Sequence, residues 1–178
     1  MRKQYLKVLK DYFKQEINSN FPQFKETKYK SIYLFSSEIT YTWQVNESLN
    51  CFIILIPGLK GGDEFFIEIG WSTQGRFPQL ERPSGYPTQE REEFNKEEFI
   101  CRLDNLWSSH SFGWKFYELE DINDVANLIE KSQTLISIQE AKNIVIPKID
   151  EAISKLKEFG LPYLSEFVAN VINRKPMQ

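Results

Sequence analysis

His110 is the only histidine in this 178-residue chain, and two cysteines, Cys51 and Cys101, are its only thiols. A zinc site needs three or four converging Cys, His or carboxylate ligands. No pair among these residues has helical or knuckle spacing, so the sequence predicts no metal and no other cofactor. Cys101 with His110 would make a thiolate–imidazole pair only if the thiol were exposed and its pKa lowered. Cys101 sits between Ile100 and Arg102 in an apolar segment and reads as a small core residue. His110, in Ser-Ser-His-Ser-Phe-Gly, reads as an exposed loop residue. Asp11 followed by Glu26-Thr27-Lys28 has the order of a Mg²⁺-dependent nuclease motif, but Asp11 falls in the first helix, where convergence is not expected. Glu64 and Glu68 share one strand face, as an acid–base pair would. Glu68, however, is expected on the solvent side of a meander strand. Gly58-Leu-Lys-Gly-Gly lacks the spacing of a phosphate loop, and no helix follows it.

The stronger candidates lie in residues 72–90, where three prolines and two glycines fall within nineteen residues. Irregular loops of this length inside a compact domain are usually functional or disordered. Arg76, Phe77, Arg82 and Tyr86 combine planar cations with aromatics, the types enriched at binding hot spots. The competing expectation is a loop folded onto its own domain, with Phe77 and Pro78 tucked beside Trp71. Glu90, Glu92, Glu93, Glu97 and Glu98 follow closely, offset there only by Arg91 and Lys96. Arg76, Phe77, Arg82, Tyr86, Glu90, Glu92, Glu93 and Glu97 are expected to be partner-binding; for the acidic segment the rival expectation is an inert solvated helix face.

The elements that must position these residues follow from periodicity. Tyr5, Leu6, Leu9, Tyr12, Phe13 and Ile17 line one face of a helix over 3–18, which Pro22 ends. Ile32–Phe35 reads as a strand. Ile39, Tyr41, Trp43 and Val45 alternate with Thr40, Thr42 and Gln44 in a half-buried strand. Asn46-Glu47-Ser48 turns the chain into Leu49–Ile56, apolar on both faces and so central. After the glycines at 58, 61 and 62, Phe65, Ile67, Ile69 and Trp71 alternate again. Short links make these strands an antiparallel meander. Residues 92–107 fit helix or strand. Trp114–Leu119 reads as a strand, and Asp121 as the cap of a helix holding Ile122, Val125, Ala126 and Ile129. Pro147 suits the first turn of a helix with Ile149, Ala152, Ile153 and Leu156. Gly160 is placed to end that helix in a left-handed conformation. Pro162 opens the last helix, with Tyr163, Leu164, Phe167, Val168 and Val171 inward.

Segregated strands and helices predict one α+β domain over 1–178, an antiparallel meander packed on one face by the N-terminal helix and C-terminal helices. Hydrophobic residues make up 41% of the chain and charged residues 26%, ordinary values for a globular domain. No apolar run is long enough to span a membrane, and the charged start, Met1-Arg2-Lys3-Gln4-Tyr5, has no apolar stretch behind it. Two thiols allow no disulfide framework, so a reducing, cytoplasmic setting is expected. The net charge of −3 divides unevenly: +4 over residues 1–60, −8 over 61–131 and +1 over 132–178, which sum to −3. An acidic middle argues against nucleic acid as the partner, because phosphate binding needs a basic footprint.

Phe66-Ile67-Glu68-Ile69-Gly70-Trp71-Ser72, the following Gly75-Arg76-Phe77-Pro78 and the late Gly160-Leu161-Pro162-Tyr163-Leu164 resemble a broad group of small bacterial α+β domains of unknown function. Some members of that group sit beside polymorphic toxins and look like immunity proteins. The resemblance covers most of the chain in layout and implies scaffold roles for Gly70, Trp71 and Phe77; it carries over no catalytic residue. Its implication is a non-enzymatic protein-binding domain that neutralises a toxin by occlusion, with a basic protein as partner. The alternatives are a hydrolase-type enzyme with a carboxylate-lined site on the open sheet face, and a small-ligand binder.

Overall fold

The computed structural model describes residues 1–34, 37–58, 62–109, 113–116 and 136–173. Helix α1 (Lys3–Asn20) buries Tyr5, Val8, Leu9, Phe13 and Ile17, the inner stripe of an amphipathic helix. Strands β1 (Lys25–Thr27), β2 (Ile39–Gln44), β3 (Asn50–Pro57), β4 (Glu64–Ser72) and β5 (Glu98–Arg102) form an antiparallel sheet in sequence order. A sixth strand, β6 (Trp114–Lys115), pairs with the start of β4. Asn46 sets the β2–β3 turn: its side-chain oxygen accepts the Ser48 and Leu49 N–H groups at 3.0 and 2.8 Å. Short polar side chains of this kind replace a backbone partner in tight turns.

The edge of the sheet differs from the expected one. Ile32–Leu34, the described part of the expected strand, is a turn in which Leu34 N–H bonds the Ser31 carbonyl, and Ile32 is almost fully exposed. The edge strand is instead the polar Lys-Glu-Thr segment β1, paired to Thr40–Thr42. A short, charged strand is a usual way to blunt an edge, and its polarity is why apolar periodicity missed it.

One face of the sheet carries Tyr41, Ile53, Leu55, Ile67, Ile69, Trp71, Phe99 and Cys101 into the main core beneath the helices. Residues 92–107 divide between the two expected states. A 3₁₀ turn (Glu92–Asn95) leads into β5, and a second (Leu103–Leu106) leaves it. Of the expected strand Trp114–Leu119, residues 117–119 lie outside the described residues; Trp114–Lys115 is strand, and Phe116 N–H turns to the Asp63 carbonyl at 2.9 Å. The helix expected after Asp121 lies outside the described residues, as does His110.

Helix α2 (Ile138–Lys155) starts well before Pro147. Ser137 caps it: Ser137 Oγ accepts from Glu140 N–H at 3.2 Å while Glu140 Oε2 accepts from Ser137 N–H at 2.7 Å. This reciprocal pair satisfies two orphan donors at the helix start. Pro147 therefore lies inside the helix. It is exposed, as is Asn143, whose carbonyl it leaves without a helical donor, so solvent can take that carbonyl. Ser137→Ala is expected to cost about 1 kcal/mol in urea unfolding. A change under a few tenths would show that the cap is redundant.

Gly160 does not end the helix. It closes a π turn (Leu156–Gly160), in which Leu161 N–H reaches the Leu156 carbonyl, and the chain runs on into α3 (Leu161–Asn173). A Cβ on Gly160 would lie 3.0 Å from Leu103 Cδ1 and 3.1 Å from Leu156 Cδ2. The glycine serves close packing against the turn after β5, not a left-handed cap.

Candidate functional site

The second sheet face is formed by Phe52, Ile54 and Ile56 of β3, Phe66, Glu68 and Gly70 of β4, and Ile100 and Arg102 of β5, as the registers require. The loop after β4 covers much of it. Phe77 packs against Phe52 and Tyr29, each with ring centroids 5.3 Å away, and joins Ile54, Ile56 and Ile100 in a second apolar cluster. Gly75 permits the approach: it has φ +66°, donates to the Ser48 carbonyl at 2.7 Å, and a Cβ there would meet the Glu47 carbonyl oxygen at 2.9 Å.

Beneath the loop lies a buried ionic network. Arg82 Nε and Nη2 donate to Glu68 Oε2 at 3.0 and 2.6 Å, and Nη1 donates to Glu38 Oε2 and the Tyr33 carbonyl, both at 2.8 Å. The Arg82 side chain is only 6% exposed and the two carboxylates 3% each. Arg102 Nε reaches Glu68 Oε1 at 3.3 Å, and its guanidinium lies over the Phe66 ring at 4.0 Å. Burial pushes the Glu68 carboxyl above its ordinary value. The Arg82 and Arg102 charges pull it down, and the Glu38 charge pushes it up again.

Glu68 is thus not on a solvent side, which corrects the sequence expectation. Nor does Glu64 come close enough to pair with it. Glu64 lies four residues away along the same strand, roughly 13 Å at the usual rise, beyond the separations that glycosidic hydrolysis uses. The part of the sheet face that was expected to be open around Glu68 is closed by the loop.

Further tethers fix the loop's remainder. Ser84 N–H donates to the Ile100 carbonyl at 2.8 Å, and its Oγ accepts the Ile100 N–H at 2.7 Å, so the outer edge of β5 is occupied at Ile100. Glu98 takes Gln79 N–H at 3.1 Å and pairs with Arg76 at 3.1 Å. Glu93 Oε2 accepts from Thr88 Oγ1 at 2.7 Å, and Glu93 Oε1 accepts from Tyr163 Oη of α3 at 2.6 Å. Burial pushes the Glu93 carboxyl up. The bonds from Tyr163, Thr88 and nearby backbone N–H groups outweigh that and hold it below the ordinary range.

These contacts sort the expected site residues. Phe77 and Glu93 are buried and the Arg82 side chain is only 6% exposed, and all three spend their contacts inside the fold, unlike the exposed members of the expected set. Phe77 lies against Phe52 and Tyr29 rather than beside Trp71, whose own partners are Phe94, Phe99, Tyr163 and Phe167. Arg76 is half-exposed on its Glu98 pair. Tyr86 is 70% exposed, and Glu90, Glu92 and Glu97 are exposed on the same stretch of chain. Sequence reasoning missed Glu38 and Arg102. The signal available was β3 itself: apolar on both faces, it required a cover on the face that Glu68 shares.

The other chemical candidates also find places. Cys51 and Cys101 are free and buried. Burial pushes the Cys51 thiol up to about 12, and burial followed by the Glu68, Glu93 and Asp104 charges pushes Cys101 well above its usual value. Neither is a ready thiolate. Asp11 and Glu26 line separate cavities, and Glu26 is held by Lys14 at 2.6 Å. Among the described residues no three His, Cys, Asp or Glu side chains cluster as a metal site, and no helix is long and apolar enough to cross a membrane. In comparisons with known proteins, the chain matches no family model, no curated protein and no solved structure.

Proposed function

We propose that this chain is a non-enzymatic binding domain that captures a basic protein through the exposed end of its long loop and the acidic segment beyond. Toxin neutralisation by occlusion is the concrete form that the resemblance implies. The observation that carries the proposal is the pinning of the 72–90 segment: Arg82 and Phe77 are locked beneath it while Tyr86 stays 70% exposed at its far end. A surface already ordered before binding loses less conformational entropy on association. An exposed tyrosine provides contact area with few rotatable bonds. Glu90, Glu92 and Glu97 supply a negative field, which favours a cationic protein over nucleic acid. Two buried free thiols support a reducing, cytoplasmic setting.

The test uses the protein encoded beside this chain's gene as the probe. Reversing Glu90, Glu92 and Glu97 to lysine together should slow association at least about tenfold at low salt, and by much less at high salt where screening is strong. Glu93 is left untouched because it holds Thr88 and Tyr163. Tyr86→Ala should act mainly on the dissociation rate. An association rate indifferent to both salt and charge reversal removes the acidic segment from the interface.

A further inference from the structure

At the opposite edge of the sheet from β5, the second face ends in a polar cavity of about 400 Å³ that the loop leaves open. Its floor is built by the pleat. Thr42 and Gln44 of β2 and Asn50 of β3 are brought together by pairing, since Gln44 opposes Asn50 and Lys25 of β1 opposes Thr42. Gln23 and Tyr29 complete the walls. Tyr29 is a rigid wall: its ring packs on Phe52 and Phe77, and its hydroxyl shares a 3.1 Å hydrogen bond with Thr42 Oγ1.

Asn50 is the telling residue. It is only 5% exposed, it lines this cavity, and its carboxamide has no hydrogen-bond partner among the described residues. Its amide atoms are not sealed in the interior but open onto the cavity, where they can donate to and accept from a ligand. The carboxamides of Gln44 and Gln23 and the Lys25 ammonium likewise make no hydrogen bond or ion pair to described residues. One ammonium and no carboxylate line the cavity, so it suits an anion or a neutral polar molecule and disfavours a cation. Each amide offers a donor and an acceptor, the complement of a hydroxyl, which also does both. The volume lies at the small end of the range for ligand sites.

We propose that this cavity binds a small polyhydroxylated anion of monosaccharide size, a sugar acid or a sugar phosphate. Lys25 meets the charged group, and Asn50 and Gln44 meet the hydroxyls. This inference stands apart from the protein-binding proposal, since none of its residues belongs to the acidic surface.

The experiment titrates glucuronate, glucose 6-phosphate, glucose and inorganic phosphate into the full chain, read by ¹⁵N amide shifts and calorimetry. At least one of the two sugar anions should bind with a Kd of about 1 mM or tighter, with shifts centred on Lys25, Gln44, Asn50 and Gly75. Whichever anion binds identifies the charged group. Glucose and inorganic phosphate should each bind about tenfold more weakly or worse. Lys25→Met and Gln44→Leu alter exposed residues and should keep the melting temperature while weakening the anion about tenfold. Asn50→Asp, nearly isosteric, should abolish binding by repulsion. The proposal is overturned if neither sugar anion saturates, if the shifts map elsewhere, if glucose or phosphate alone binds as well, or if Lys25→Met binds unchanged.

Discussion

Arg82→Met is expected to lower folding stability by about 3–5 kcal/mol, the usual cost of removing one partner from a buried ion pair. The arginine supplies four hydrogen bonds to Glu68, Glu38 and the Tyr33 carbonyl. Without it two nearly fully buried carboxylates lose the cation they share, while Arg102 stays at 3.3 Å from Glu68. The deficit should depend on pH. Burial already holds the Glu68 carboxyl above its unfolded value, and losing Arg82 raises it further. A group with a raised folded pKa favours the fold below the unfolded pKa and loses that advantage as pH rises through the folded pKa. Urea unfolding should therefore show a smaller loss near pH 4 than at pH 7. Adding Glu68→Gln and Glu38→Gln to Arg82→Met should recover part of the stability, because neutral amides carry no charge to desolvate. The amides of residues 73–91 should also exchange faster, since the loop loses its central anchor. A loss below about 1 kcal/mol at pH 7 would mean that the network adds little to the fold.

Trp71→Ala is expected to cost a further large amount, about 3–5 kcal/mol by the usual range for large-to-small aromatic core changes. Trp71 is fully buried and joins three parts of the chain. Its ring stacks on Phe167 of α3 at 3.9 Å, tilts against Phe99 of β5 at 4.9 Å and meets Phe94 of the 3₁₀ turn edge-on at 5.5 Å. Its indole N–H donates to the Lys96 carbonyl at 3.1 Å. Truncation removes packing from the sheet, from α3 and from the base of the acidic segment at once. Trp71→Phe keeps an aromatic ring in place and should cost less than half as much in the same circular-dichroism unfolding curves. Equal losses for the two variants would assign the effect to the indole hydrogen bond rather than to the packing.

Both variants touch residues whose types were legible in the sequence and whose roles were not. The alternation of Phe65, Ile67, Ile69 and Trp71 placed their side chains on one sheet face, and the observed register agrees. Arg82 stood out as a planar cation in a long loop, the profile of a surface contact. Its burial arises because Glu38, forty-four residues earlier, and Glu68, fourteen earlier, converge on it. Glu93 was hidden in the same way: in sequence it is one of five nearby glutamates, and its bonds to Thr88 and to Tyr163, seventy residues away, set it apart from its neighbours. The helix starting at Ser137 was a different miss, since Ser-Ile-Gln-Glu is a capping box readable from sequence, and Pro147 drew the expected start too far along.

The sequence by itself determined the parts that depend on local periodicity and turn chemistry. These are the amphipathic α1, the alternation of β2 and β4, the Asn46 turn and the doubly apolar β3, and with them the α+β class and the antiparallel meander. Such signals repeat every two or every three to four residues, so a short window contains them. Tertiary structure alone decided which polar residues are surface and which are interior. It buried Glu68, Glu93 and the side chain of Arg82, left Tyr86, Glu90, Glu92 and Glu97 outside, and gathered Gln23, Lys25, Tyr29, Gln44 and Asn50 around one cavity. The physical reason is that a charged or amide side chain is stable inside only where its partners converge, and those partners come from strands and loops far apart in the chain.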